Sequence, residues 1–218
     1  MTDRGDTGCV VESYGRRAVV ERAGGDRVVC KLRRRDLDLV AGDDVRIEFR
    51  SGDDEWTVTE RLPRRNVLCR SDSRGRSESL AANLDQLGVV VAPRPACDAF
   101  IVDRYLAGAR YAGIASLLIV NKQDLPGAAG ELSFVEPYRA LGLRVFVVSA
   151  HTGAGLDALI EQLSGRRSLL AGQSGVGKSS LLNTLAGEAV RATGRLSEGS
   201  GEGRHTTVSS AILRTPWG

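Results

Sequence analysis

Eight residues late in the chain carry the strongest chemical signal: Gly172-Gln173-Ser174-Gly175-Val176-Gly177-Lys178-Ser179. A Gly, four residues, then Gly-Lys-Ser/Thr is the phosphate-loop pattern. Its glycines let backbone N–H groups turn inward around phosphate oxygens, at a helix N-terminus that favours anions. The loop backbone from Gly172 to Ser180 is expected to line the phosphates. Lys178 would reach the outer ones, and the Ser179 hydroxyl would ligand Mg²⁺. The bland alternative is a glycine-rich strand-to-helix turn that binds nothing. Both flanks suit the chemical reading: Ser168–Ala171 reads as a buried strand and 178–185 as a helix.

A second signal lies earlier, at Asn121-Lys122-Gln123-Asp124, directly after the apolar run 116–120. The Asp124 carboxylate can accept hydrogen bonds from N1–H and the exocyclic amine of guanine. Adenine offers neither donor there and would leave the carboxylate unpaired. Asn121 would fix the loop, and the Lys122 stem would cover the base face. Taken alone, Asn-Lys-x-Asp can equally be a helix cap. A third piece, from Ser149-Ala150 to Gly155-Leu156, follows the strand 144–149; its Ser-Ala step can offer backbone N–H to a guanine carbonyl. Ordinary GTPases meet the phosphate loop first. Here base recognition precedes it, so the order is that of a circularly permuted GTPase, in which moved termini leave the site intact.

These motifs need a frame. Residues 88–92, 116–120, 144–149 and 168–171 read as strands; 97–111, 132–141 and 156–163 read as helices, with Pro137 limiting the middle one. Alternating strands and helices give a parallel sheet, whose ligands sit at the carboxyl strand ends. Upstream, 9–11, 17–21, 27–31, 44–49 and 55–59 are short valine-rich strands broken by turns at 24–26 and 51–54. Five such strands suit an OB-like β barrel, which binds RNA or serves as a spacer. The expected fold is therefore this barrel plus an α/β P-loop NTPase domain. The expected bounds are 1–64 for the barrel, 65–80 for an exposed basic linker and 81–218 for the GTPase domain.

Net charge is only +3, but arginine clusters at 33–35 and between Arg61 and Arg76. Such clusters are solvated faces or nucleic-acid contacts, and beside a β barrel they favour RNA. No apolar run approaches a membrane span, and residues 1–7 are no signal peptide, so a cytoplasmic protein is expected. Cys9, Cys30, Cys69 and Cys97 lack metal-ligand spacing and read as reduced thiols.

Together these stretches resemble the ribosome-small-subunit-dependent GTPases, the RsgA or YjeQ group. The resemblance also covers Leu62-Pro63-Arg64-Arg65-Asn66, Ala81-Ala82-Asn83-Leu84-Asp85-Gln86, Asp103-Arg104-Tyr105-Leu106 and Gly203-Arg204-His205-Thr206-Thr207. It implies hydrolysis of GTP to GDP and phosphate, stimulated by the small ribosomal subunit, and a role in its late maturation. The implied partners are that subunit and its rRNA, met by a monomer with no membrane attachment. The stretch 204–207 resembles the family's first switch. Thr207 there, or Thr206 beside it, would be a Mg²⁺ ligand, and His205 would orient the attacking water or be an exposed loop histidine. The family continues with Asp-x-Pro-Gly and a zinc-binding domain, whose ligands this chain lacks; a fragment or an impaired, truncated protein is expected. Two other readings stay open: an rRNA-binding nucleotide module with negligible hydrolysis, and an ATPase.

Overall fold

The computed structural model describes residues 5–33, 37–50, 54–71, 75 and 77–187. The expected turn at 51–54 falls mostly outside these residues. The chain divides into two compact units at Leu84/Asp85.

In the first unit β1 (Gly5–Tyr14), β2 (Arg17–Arg22), β3 (Arg27–Leu32), β4 (Asp44–Arg50) and β5 (Glu55–Arg61) close a barrel in the order β1-β2-β3-β5-β4. All pairings are antiparallel except β3 with β5. A bulge between Val10 and Glu12 bends the long β1, which pairs with both β2 and β4. Strand alternation turns Val10, Ala18, Val20, Cys30, Ile47 and Val58 into the interior. Each large apolar side chain buried this way stabilises by about 1.5–3 kcal/mol.

The stretch 65–80 is no exposed linker. It supplies β6 (Val67–Ser71) and β7 (Ser77–Ala82), an antiparallel hairpin, and the first unit reaches Leu84 rather than ending at 64. Charges crowd this segment because they pair. Arg70 Nε donates to Glu78 Oε2 across the strands at 2.8 Å. Arg64 grips the fully buried Asp43 with two bonds, Nε to Oδ1 at 2.7 Å and an Nη to Oδ2 at 2.9 Å. Arg61 donates to the Asp38 carbonyl and Arg65 to the Asn83 carbonyl. Four arginines of the second cluster are thus tied into the architecture. Buried Asn83 accepts from Arg65 N–H at 2.7 Å and donates to the Gly42 carbonyl at 2.9 Å, joining hairpin to barrel.

The second unit holds a parallel sheet in the order β10-β9-β8-β11. Its elements in chain order are β8 (Gln86–Val91), α1 (Ala99–Tyr111), β9 (Ala115–Val120), α2 (Glu136–Ala140), β10 (Arg144–Val147), α3 (Leu156–Leu163), β11 (Ser168–Ala171) and α4 (Lys178–Ala186). Every residue of β8 is buried, as a central strand covered on both faces demands. The helix expected over 132–141 is instead a 3₁₀ stretch, Ala128–Val135, followed by α2. Pro137 sits in the first turn of α2, where its missing N–H costs nothing. The chain builds outward from β8 to β10 and then returns to β11 on the other side of β8. Adjacent carboxyl ends feeding opposite directions make a switch point, the usual ligand position in such sheets.

Candidate functional site

The phosphate-loop residues lie where strand β11 leaves the sheet. Gly172 has φ +151°, and a Cβ there would collide with the Val90 carbonyl oxygen, so the loop can turn only on glycine. Val176 is buried beneath the loop, while Ser174 and Gly175 are exposed above it. Gly177 precedes α4 with φ +89° and leaves that helix without a side-chain cap. Its first N–H groups are therefore free of any capping side chain. Lys178 Nζ donates to the carbonyls of Gly172 and Gln173, both at 2.8 Å, so the ammonium folds back over the loop. Burial holds its pKa below the usual lysine range. Ser179 and Ser180 are exposed in the first turn of α4.

The residues expected to recognise the base meet this loop through hydrogen bonds. Buried Asn121 stands at the end of β9. Its Nδ2 donates to the Val176 carbonyl at 3.1 Å and the Gly177 carbonyl at 3.4 Å. Its Oδ1 accepts from Ala150 N–H at 3.0 Å. One amide thus ties together all three stretches singled out in the sequence. Lys122, at φ +65°, extends its ammonium to the Gly175 carbonyl at 2.5 Å and the Arg94 carbonyl at 3.0 Å. Asp124 is exposed, and its Oδ1 accepts from the Ser149 hydroxyl at 2.6 Å. That bond, first among the causes, holds the Asp124 carboxyl below the usual range. The Ser149 oxygen also accepts from His151 and Thr152 N–H, at 3.2 and 3.1 Å. Asn121, Lys122, Asp124, Ser149, Ala150 and the loop 172–180 are therefore brought together; His205, Thr206 and Thr207 lie outside the described residues.

The sequence model of the RsgA GTPase family matches residues 61–218. The chain belongs to the RsgA GTPase family. Among curated RsgA proteins, the small ribosomal subunit biogenesis GTPase RsgA of Pseudomonas fluorescens strain Pf0-1 is 42% identical over 219 residues. The alignment takes in 97% of this chain and 63% of that protein. The Pseudomonas aeruginosa strain PAO1 protein of the same name is 41% identical over 216 residues, with the same coverages. The chain thus spans about 63% of the length of the RsgA relatives it matches. The crystal structure of YjeQ from Thermotoga maritima superposes with a TM-score of 0.70 at 28% identity, covering 99% of this chain and 72% of that one. YloQ, described as a circularly permuted GTPase, superposes with a TM-score of 0.62 at 23% identity, covering 85% and 66%, and supports the fold alone. The RsgA fold of this chain is a barrel followed by a P-loop GTPase unit with permuted motif order.

Three contributors escape a sequence reading. Thr184, nearly two turns into α4, donates to the Ala150 carbonyl at 3.1 Å and shares its proton with Ser180's carbonyl at 2.9 Å. Arg94 enters through its backbone carbonyl, which carries no side-chain signature. Pro95 faces Gly175, its Cδ 3.5 Å from where a Cβ would stand. Only Thr184 gives a hint beforehand, as a polar residue at a helical interval from Ser180. Among the described residues no group of three or more His, Cys, Asp or Glu is placed to hold a metal ion.

Proposed function

We propose that this chain binds GTP and hydrolyses it to GDP and phosphate, acting with the small ribosomal subunit during its late maturation. The observation that carries the reading is the Asn121 amide, which fixes the base-recognition loop and the phosphate loop as one site. A guanine nucleotide fits the residues present. Asp124 is exposed and charged for the base edge, and Ala150 N–H is positioned beside Asn121. A phosphate fits the uncapped start of α4, and it gives the desolvated Lys178 ammonium an anion in place of two carbonyls.

Roles follow from the chemistry. Asp124 selects guanine over adenine. Lys178 leaves the Gly172 and Gln173 carbonyls to neutralise charge on the outer phosphates during in-line attack of water. The Ser179 hydroxyl, exposed and beside the loop, would hold Mg²⁺ together with Thr207 or Thr206. Bound there, Mg²⁺ supplies charge neutralisation at the phosphate oxygens. His205 orients the water. The partner is the small subunit through its RNA, approached by the barrel. The names of the RsgA relatives, which refer to small-subunit biogenesis, support that assignment. The protein acts as a monomer in the cytoplasm; among the described residues no helix is long and apolar enough to cross a membrane.

The test is an equilibrium titration with labelled GDP and ADP, followed by single-turnover GTP hydrolysis with and without small subunits. GDP is expected to bind and ADP not, with subunits raising the hydrolysis rate. Equal or absent uptake of both nucleotides by folded protein defeats the nucleotide reading. Binding with background hydrolysis in both conditions defeats the enzymatic one. Asp124→Asn is expected to move preference from guanosine to xanthosine nucleotides.

A further inference from the structure

Helix α1 buries Val102 and Ala109 against the sheet. Its opposite side presents Phe100, Arg104, Ala107 and Tyr111. These positions are four, three and four residues apart, so they form one stripe about 16 Å long. Phe100 is 67% exposed and Tyr111 95%. The Arg104 guanidinium carbon lies 5.9 Å from the Phe100 ring centroid, and Arg110 flanks Tyr111.

The nearby carboxylates are all occupied by groups other than these arginines. Asp98 caps α1 by accepting from Phe100 N–H at 3.0 Å. Asp103 accepts from the Tyr138 hydroxyl at 3.0 Å. Glu136 pairs with Arg139 at 2.6 Å. Among the described residues Arg104 and Arg110 have no carboxylate partner, unlike Arg64 and Arg70 of the first unit. Arg110 also lines a cavity of about 540 Å³ with Leu106, Tyr138, Leu141 and Leu143. Leu141 itself is 82% exposed. The face therefore combines two arginines without an ion-pair partner among the described residues, two solvent-facing aromatic rings and an apolar recess, with the Asp98 and Asp103 carboxylates bonded to uncharged donors at its edge.

We propose that the outer face of α1 binds single-stranded RNA, with Arg104 and Arg110 on phosphates and Phe100 and Tyr111 beneath bases. A polyanion satisfies the arginines. Flat bases cover the rings, and the recess beside Arg110 takes a base that has left its stack. An acidic peptide would answer the charge but has no planar groups to lay on Phe100 and Tyr111. This surface rests on the reading of an rRNA partner given above and adds to it a contact on the GTPase unit, apart from the barrel.

The experiment uses the full chain, a labelled single-stranded RNA oligonucleotide read by anisotropy, and isolated small subunits read by co-sedimentation. Tyr111→Ala removes a ring that touches almost nothing in the protein, and is expected to weaken RNA binding about tenfold. Arg104→Glu with Arg110→Glu is expected to weaken it more, and to make the slope of log affinity against log salt shallower by about 1.4 units, two phosphate contacts on a single strand. Labelled GDP affinity stays at the wild-type value in both variants, which also reports that they fold. Wild-type RNA affinity and salt slope in both variants, with subunit binding intact, overturns the α1 surface and leaves the rRNA reading standing. No binding of RNA or subunits by the wild-type chain overturns both. Loss of polyglutamate binding without loss of RNA binding in the charge-reversed variant marks a protein-docking face and overturns the proposal.

Discussion

Gly177→Ala tests whether the two halves of the proposed nucleotide site depend on one contact. Gly177 sits at φ +89°, and an added Cβ would stand 2.6 Å from Asn121 Nδ2 and 3.6 Å from Lys122 Cε. Two costs follow. The left-handed backbone alone costs a non-glycine residue about 1–2 kcal/mol. Crowding then pushes the Asn121 amide off the Val176 and Gly177 carbonyls, two hydrogen bonds worth about 0.5–1.5 kcal/mol each. Gly113→Ala separates the terms. Gly113 has φ +69° but nothing within 4 Å of the added carbon, so it bears the backbone cost alone. The crowding share, about 1–3 kcal/mol, corresponds to a loss of labelled-GDP affinity of about 5- to 150-fold. Both variants should lose about 1–2 kcal/mol or more of stability in urea titrations, and only Gly177→Ala should lose affinity. A folded Gly177→Ala protein that binds GDP within about twofold of wild type refutes the coupling through Asn121.

Other outcomes follow from the same contacts. Ser149→Ala removes the main cause of the lowered Asp124 pKa, so that carboxyl should titrate at higher pH by carbon NMR. Because the folded value lies below the unfolded one, the carboxylate's contribution is present above the unfolded pKa and fades as pH falls through the folded pKa; an unmoved titration sinks the assignment. Lys178 has the opposite sign: burial disfavours its charged form, a penalty present below its folded pKa and relieved as pH rises toward the ordinary lysine range. The stability of nucleotide-free wild type, measured against Lys178→Met, should therefore increase as pH rises toward the ordinary lysine range, and a flat difference argues against it. Arg64→Met strands the fully buried Asp43 without its guanidinium and should cost about 3–5 kcal/mol in urea unfolding of the first unit. A loss under about 1 kcal/mol would mean that water or a rearranged loop replaces the arginine.

The candidate nucleotide residues stood out in the sequence because a phosphate cradle demands glycine at fixed intervals and a guanine edge demands a carboxylate. The structure brings these stretches together, and a Cβ at Gly172 or Gly177 would collide with the Val90 carbonyl or the Asn121 amide. The barrel strands were legible from their alternating valines, and all five lie where the pattern placed them. Residues 65–80 misled for a physical reason. Charge density was read as exposure, but Arg70 with Glu78 is a cross-strand pair, and Arg64 is spent on an acid in the interior. Pairing of residues that are distant in sequence has no local pattern, which also hid the Arg94 carbonyl and Thr184. Pro137 correctly signalled a short helix, though not that a 3₁₀ stretch would precede it.

The Asn121 side chain spans 55 residues of sequence to reach Val176. On a ribosome adding about 5–20 residues per second, the strand that ends at Asn121 would be made some 3–11 seconds before the glycine turn its amide holds. Until then the amide has no carbonyl to hold, and the proposed nucleotide site is half built. If the proposed site takes a nucleotide, occupancy would accordingly report that synthesis has passed the start of α4, well after β9 has left the ribosome.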